Sequence, residues 1–197
     1  MAVLTIMEVP GATTDQYEKV NELMGIRGDE DAPDGLIQHL AATDANGMVV
    51  ADVWESQEAL DRFVNDRLGA ALQEAGMGSD SPPRVLPVHN AFEGAGSQPN
   101  VVLIMEMDDL TTDVYDQMVE GMPAHLEQGK NHPAASHTAA RSESGGMVVV
   151  DVWDSPESFG KFAEEAIGPQ AAEVGMSPPQ PRVLQIHNRI RGHARVS

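Results

Sequence analysis

A chain of 197 residues with 41% apolar side chains is long enough for one core or two small ones, and too apolar to stay unfolded. Acidic residues outnumber basic ones 31 to 12, a formal charge of −19. Such a surface repels nucleic-acid phosphates and anionic lipid, so neither is an expected partner. The absence of cysteine excludes disulfides, thiolate nucleophiles, iron–sulfur clusters and cysteine-based zinc sites, and makes a cytoplasmic location the expectation. No apolar run nears the roughly 18 residues of a membrane span. Met1 to Pro10 carries Glu8 and no basic start, which suits a strand better than a signal peptide.

In chain order, Ala2 to Val9 is an apolar run expected to form the first strand. Thr13 or Thr14 caps a helix to about Met24, with Tyr17, Val20 and Met24 along one stripe. Gly35 to Ala42 reads as a strand, Asp44-Ala-Asn-Gly47 as a hairpin turn, and Met48 to Trp54 as the most β-like stretch. Ser56 caps a second helix whose stripe is Ala59, Leu60, Phe63, Val64 and Leu68, ending near Gly76. A last strand runs from about Arg84 to Phe92.

The same order then recurs. Gly47-Met-Val-Val-Ala-Asp-Val-Trp54 returns as Gly146-Met-Val-Val-Val-Asp-Val-Trp153, with one change. Thr13-Thr-Asp-Gln-Tyr17 returns as Thr111-Thr-Asp-Val-Tyr115, and Arg84-Val-Leu-Pro-Val-His-Asn90 as Arg182-Val-Leu-Gln-Ile-His-Asn188. The halves diverge at Gly25 to Pro33 and Pro123 to Pro133, the loops best placed to set ligand access. Residues 1–92 and 100–190 form the two modules. Residues 93–99 are a flexible polar linker, and 191–197 a basic, solvated, partly disordered tail. Each module is a ferredoxin-like βαββαβ unit. Its third strand is apolar on both faces, hence buried on both. Helices cover one face of the sheet, and the other copy's sheet is the available cover for the second. The expected fold is therefore α+β: two tandem ferredoxin-like modules forming an intrachain pseudo-dimeric α+β barrel, with a further homodimer left open.

This pattern resembles the dimeric α+β barrel superfamily, in particular its antibiotic-biosynthesis-monooxygenase-like group. The resemblance rests on the paired βαββαβ copies and on the passage from third strand to second helix. That passage reads Val53-Trp54-Glu55-Ser56-Gln57-Glu58-Ala59 and Val152-Trp153-Asp154-Ser155-Pro156-Glu157-Ser158, followed by Phe63 and Phe162. The superfamily includes cofactor-free oxygenases, haem-degrading enzymes, lactone isomerases, dye peroxidases and binding proteins. Haem-degrading members place an asparagine on the first strand and a histidine at the second helix. Here Ala2 to Val9 and Val101 to Met107 contain no asparagine, and the helices after Ser56 and Ser155 no histidine. What the resemblance implies is an enzyme without a cofactor, not haem breakdown.

Two histidines recur in both copies, His39 with His137 and His89 with His187; with His125 and His193 of the tail set aside, His132 is left over. In a closed pseudo-dimer His89 is expected to approach His137, and His187 to approach His39. Asp52 and Asp151 stand mid-strand in apolar runs, where a carboxylate needs a partner. Hairpin pairing brings each within a register step of His39 or His137. An aspartate there either orients a catalytic base or only fixes strand register. Trp54 and Trp153, the only tryptophans, are core or the wall of a site for a flat ligand. Tyr17 and Tyr115 face the sheet from the first helix and are core or hydrogen-bond donors to a ligand. A metal held by His39, Asp52 and His187 has no spacing motif behind it, and none is expected. No nucleotide-binding or hydrolase motif is present.

The leading expectation is an enzyme with an apolar pocket in each half. By resemblance it acts on aromatic or polyketide-like compounds as an oxygenase or isomerase, with His39 and His137 as bases, Asp52 and Asp151 orienting them, and Tyr17, Trp54, His89, Tyr115, Trp153 and His187 around the ligand. The alternative is a non-catalytic small-molecule-binding or stress-associated interaction protein.

Overall fold

The fold is described from a computed structural model, for residues 1–77, 82–126, 129, 131–177 and 179–195. The first copy supplies β1 (Val3–Pro10), α1 (Thr14–Met24), β2 (Leu36–Asp44), β3 (Gly47–Trp54), α2 (Gln57–Phe63), α3 (Gly69–Ala75) and β4 (Arg84–Glu93). The second supplies β5 (Val101–Met107), α4 (Thr112–Glu120), β6 (Ser136–Arg141), β7 (Met147–Trp153), α5 (Pro156–Phe162), α6 (Gly168–Glu173) and β8 (Arg182–Arg191).

Local chemistry sets these boundaries. Thr13 accepts from the Gln16 N–H while the Gln16 side chain accepts from the Thr13 N–H, a reciprocal cap that starts α1. Ser56 and Ser155 cap α2 and α5 in the same residue-to-third-N–H manner, and Pro156 opens α5. The repeated glycine at the head of β3 and β7 is needed for room. A Cβ on Gly47 would sit 2.5 Å from the Val9 carbonyl oxygen, and one on Gly146 2.3 Å from that of Met107.

The chain divides into two compact units, residues 1–87 with 186–197, and residues 88–185. In the first, β3 pairs antiparallel with β1 and with β2, while the start of β4 pairs with β1 from Val3↔Pro87 to Ile6↔Arg84. The end of β8 lies beside β2. In the second, β7 pairs with β5 and β6, the start of β8 with β5, and the end of β4 with β6 from Val88↔Ala140 to Glu93↔Ser136. Each final strand thus begins in one unit and ends in the other. The strand order is β8-β2-β3-β1-β4 within the first unit and β4-β6-β7-β5-β8 within the second. The α+β class and the doubled ferredoxin-like order read from the sequence are those of the structure.

The third strand of each copy anchors its core. Every residue of β7 is buried, and in β3 only Gly47 and Asp52 fall short of it. In the first unit Trp54, Leu36, Val3 and Leu60 pack with Ile190 from the end of β8. In the second, Leu103, Met147 and Trp153 meet Phe159 and Phe162 of α5. Burying each such side chain contributes roughly 1.5–3 kcal/mol.

Three features differ from the sequence expectation. The second helix of each copy is interrupted by a five-residue π-helical stretch, Val64–Leu68 and Ala163–Ile167. Apolar spacing alone does not register one widened turn. The linker starts tightly held: the N–H groups of Gly94, Ala95 and Gly96 donate to carbonyls of residues 132–135, and a Cβ on Gly94 would lie 2.2 Å from the Ala134 oxygen. The basic tail is docked as far as it is described. Gly192 and Ala194 donate to Ile37 and Leu36, and Arg191 bonds Asp29, so backbone pairing with β2 outweighs the local charge. Residues 127, 128 and 130 of the divergent second loop, and 196–197 of the tail, lie outside the described residues.

A fragment of residues 1–92 lacks the part of β8 that completes its own unit and leaves β2 as an open edge. It is expected to self-associate or unfold when expressed alone, and to become soluble and folded when residues 100–197 are supplied in trans. Size-exclusion chromatography and circular dichroism check this.

Candidate functional site

The site of the first unit grows from one ladder position. Asp52 on β3 stands directly opposite His39 on β2. Its Oδ1 lies 2.7 Å from His39 Nδ1. Tyr17, buried on α1, places its hydroxyl 2.8 Å from His39 Nε2, with the two rings stacked at 9°. Asn188, from the end of β8, donates its amide to that hydroxyl over 2.9 Å. The second unit repeats the arrangement. His137 lies opposite Asp151 in the ladder, and Asp151–His137, His137–Tyr115 and Asn90–Tyr115 distances are 2.7, 2.8 and 2.9 Å.

The donors and acceptors fix the direction of this chain. The carboxylate only accepts, so the imidazole proton sits on Nδ1. Nε2 then accepts from the tyrosine hydroxyl, whose oxygen accepts from the asparagine amide. All four groups are satisfied with the imidazole neutral, and Asp151, 3% exposed, is held in an apolar strand without an unpaired charge. Burial pushes the Tyr17 phenol up to about 12, against the smaller opposing effects of Asn21 and Asn188. Tyr115 is raised further, again chiefly by burial and against Asn90.

His89 and His187 do not bond His137 and His39. Each lies edge-on to the tyrosine, at 5.6 and 5.5 Å between ring centroids. Each bonds a helix carboxylate over 2.7 Å, Asp116 for His89 and Glu18 for His187. The β4–β6 ladder shifts register between Val88 and Asn90, and this irregularity brings both His89 and its neighbour Asn90 onto Tyr115. Asn90 and Asn188, which complete the chains, were missed by reasoning confined to titratable groups. Their signal was present in the repeated His-Asn pair.

Beside each chain lies an apolar cavity, about 100 Å³ in the first unit and 80 Å³ in the second. One ordered water needs roughly 10–15 Å³ on the same measure, so each takes a small organic molecule. Tyr17, His39, Asp52 and Trp54 reach the first cavity, with Met7, Met24 and Phe63. Tyr115, His137 and Asp151 reach the second, with Met105, Phe92 and His132. The π-helical stretches contribute Val64 and Leu68 to one wall and Ile167 to the other.

The tryptophans differ. Trp54 is buried against Phe63 and stands on the cavity wall, its indole N–H without a partner among the described residues. Trp153 lies off the wall, with its Nε1 3.5 Å from Asp151 Oδ2. His132, unmatched in the repeat, occupies the wall between Phe92 and Phe162. Among the described residues, no three histidine or carboxylate groups are placed to hold a metal ion. No helix among them is long and apolar enough to cross a membrane.

No protein-family model matches the chain, and no curated protein does. Solved structures do. Two are proteins each described as a "putative monooxygenase". The one from Fusobacterium nucleatum subsp. nucleatum has a TM-score of 0.67 at 10% identity, covering 96% of this chain and 94% of that one. The other, from Lactobacillus acidophilus, has a TM-score of 0.65 at 11% identity, covering 96% of each chain. An anthrone oxidase-like protein matches at TM-score 0.50 and 18% identity, over 98% of this chain and 93% of that one. At these identities the likeness is one of fold. What the chain shares with these monooxygenase-described and anthrone oxidase-like proteins is the α+β fold.

Burial lowers the His132 imidazole to about 4, helped by His137 and opposed by Asp151. The unfolded chain therefore takes up a proton near pH 6.5 that the folded chain refuses. Stability associated with His132 is complete above pH 6.5 and is lost as pH falls towards 4, on the order of 3 kcal/mol in all. Urea denaturation across that range should show a shallower acid loss in His132→Phe. The raised tyrosines act at the other end. Their contribution is complete below pH 10 and falls as pH rises towards 12, so phenolate absorbance should appear together with alkaline unfolding.

Proposed function

We propose that this chain is a small-molecule enzyme that removes a proton from an aromatic or polyketide-like compound, whose anion then reacts with oxygen or rearranges. The observation that carries this reading is the Asn–Tyr–His–Asp chain ending at an apolar cavity, built twice. In this reading His39 and His137 are the final proton acceptors, and Tyr17 and Tyr115 are the groups that meet the ligand, because each Nε2 already holds the phenol. The ligand's proton passes to the tyrosine oxygen as the tyrosine's own proton passes to Nε2. Asp52 or Asp151 then holds the imidazolium, and the hydroxyl, still fixed by Asn188 or Asn90, steadies the new anion.

For an acidic CH2 carbon, the carbanion and molecular oxygen give a carbonyl and water. One oxygen atom enters each product, and the carbon supplies the four electrons. No organic cofactor is required by that balance. The fold's kinship with monooxygenase-like proteins agrees with this chemistry. His89 and His187, edge-on to the tyrosines, would hold those rings in place. Trp54 would lie against a flat ligand in the first cavity. In the second, Trp153 is proposed to steady Asp151 from behind the wall.

A second reading, a non-catalytic carrier, draws on one observation: the protein's own groups satisfy every donor and acceptor along each polar chain. Turnover separates the two readings. With phenols and benzylic ketones as candidates, the wild-type protein should consume oxygen or exchange benzylic hydrogen for solvent deuterium. His39→Ala with His137→Ala, and Tyr17→Phe with Tyr115→Phe, should each slow that rate by about 10²–10⁴-fold. Unchanged rates in either double variant would remove the chain from the mechanism. Binding without any conversion would favour the carrier.

A further inference from the structure

The two cavities share the four-residue chain and differ in the next polar group. In the first unit that group is the unpartnered Trp54 indole N–H. In the second, Trp153 is engaged with Asp151, and His132 stands on the wall.

Several contacts fix how His132 presents itself. It is 3% exposed, with its ring against Phe162 at 4.6 Å, Phe92 at 5.0 Å and Trp153 at 5.9 Å between centroids. Its Nδ1 accepts the Ala134 backbone N–H over 3.2 Å, which leaves the ring proton on Nε2. Its own N–H donates to the Gly129 carbonyl, and its carbonyl accepts from Ala95. A buried ring fixed at backbone and Nδ1 is a preorganised donor. The low affinity for a second proton keeps it a neutral one at ordinary pH. The His137 ring lies about 6 Å from both His132 and Tyr115, so one small ligand beside it meets both.

We propose that His132 Nε2–H is a ligand-binding donor that makes the cavity of the second unit select compounds carrying a carbonyl oxygen beside the acidic group presented to Tyr115. The first unit has no histidine in this place, so the two sites prefer different ligands. This rests on the reading of the cavities as small-molecule sites, and the test keeps the two claims apart.

The probes are 3-hydroxyacetophenone and its near-isostere 3-isopropylphenol, which lacks the carbonyl. Each is titrated into protein carrying 15N in histidine and tryptophan. The two indole N–H signals and the His132 ring signals report the two units separately. In the second unit the ketone should bind about three- to ten-fold tighter than the isostere, the gain of one neutral hydrogen bond. The His132 Nε2 proton should shift with the ketone alone. His132→Phe should abolish the preference there and leave the first unit's ratio unchanged. Should that variant fail to fold, the wild-type tautomer and shift still decide. Equal affinities, or a His132 signal that ignores the ketone, would overturn the donor role while leaving the cavity reading intact. Failure of both phenols to bind the second unit would overturn both.

Discussion

A carboxylate in the middle of an apolar β ladder has to find a hydrogen-bond donor, and the donor has to come from the neighbouring strand. Asp52 and Asp151 impose that demand. The two-residue turn between β2 and β3 sets the pairing so that His39 falls opposite Asp52, and β6 and β7 bring His137 opposite Asp151. Once the aspartate accepts from the Nδ1–H, Nε2 becomes an acceptor and needs a donor of its own. The first helix provides it as a buried tyrosine, and the far end of a last strand provides the asparagine that completes the tyrosine. Each step is forced by the one before, and the aspartate, histidine and tyrosine of each chain line the cavity.

That sequence of demands explains why polar residues survive in a largely apolar interior. An isolated aspartate there would be costly and would protonate instead. Linked in series, the four groups satisfy one another's donors and acceptors within an otherwise apolar lining. The methionines around them adapt to shape without adding competing donors.

How far the sequence reveals this depends on the range of each contact. The doubled order, the hairpin register and the His–Asp pairing rest on contacts close in the chain, and the period-two pattern shows them. The π-helical turns are invisible to apolar spacing, because Ala59, Leu60, Phe63, Val64 and Leu68 keep the three- and four-residue steps of an ordinary helix. The tyrosine–asparagine contacts span 171 residues in one unit and 25 in the other. Only a structure places Asn188 on Tyr17. His132 stood outside the repeat and so carried no partner to compare it with. The docked tail was read from its charge, whereas its backbone pairing with β2 decides its place.

The way β4 and β8 each finish one unit after starting in the other bears on how such a protein diversifies. In an assembly of two identical polypeptides, every substitution is made twice, and both binding places change together. Encoding the halves in one gene removes that compulsion. An indole can remain on one wall while an imidazole takes over the other, and a single translation product then carries two differently lined cavities in fixed one-to-one supply.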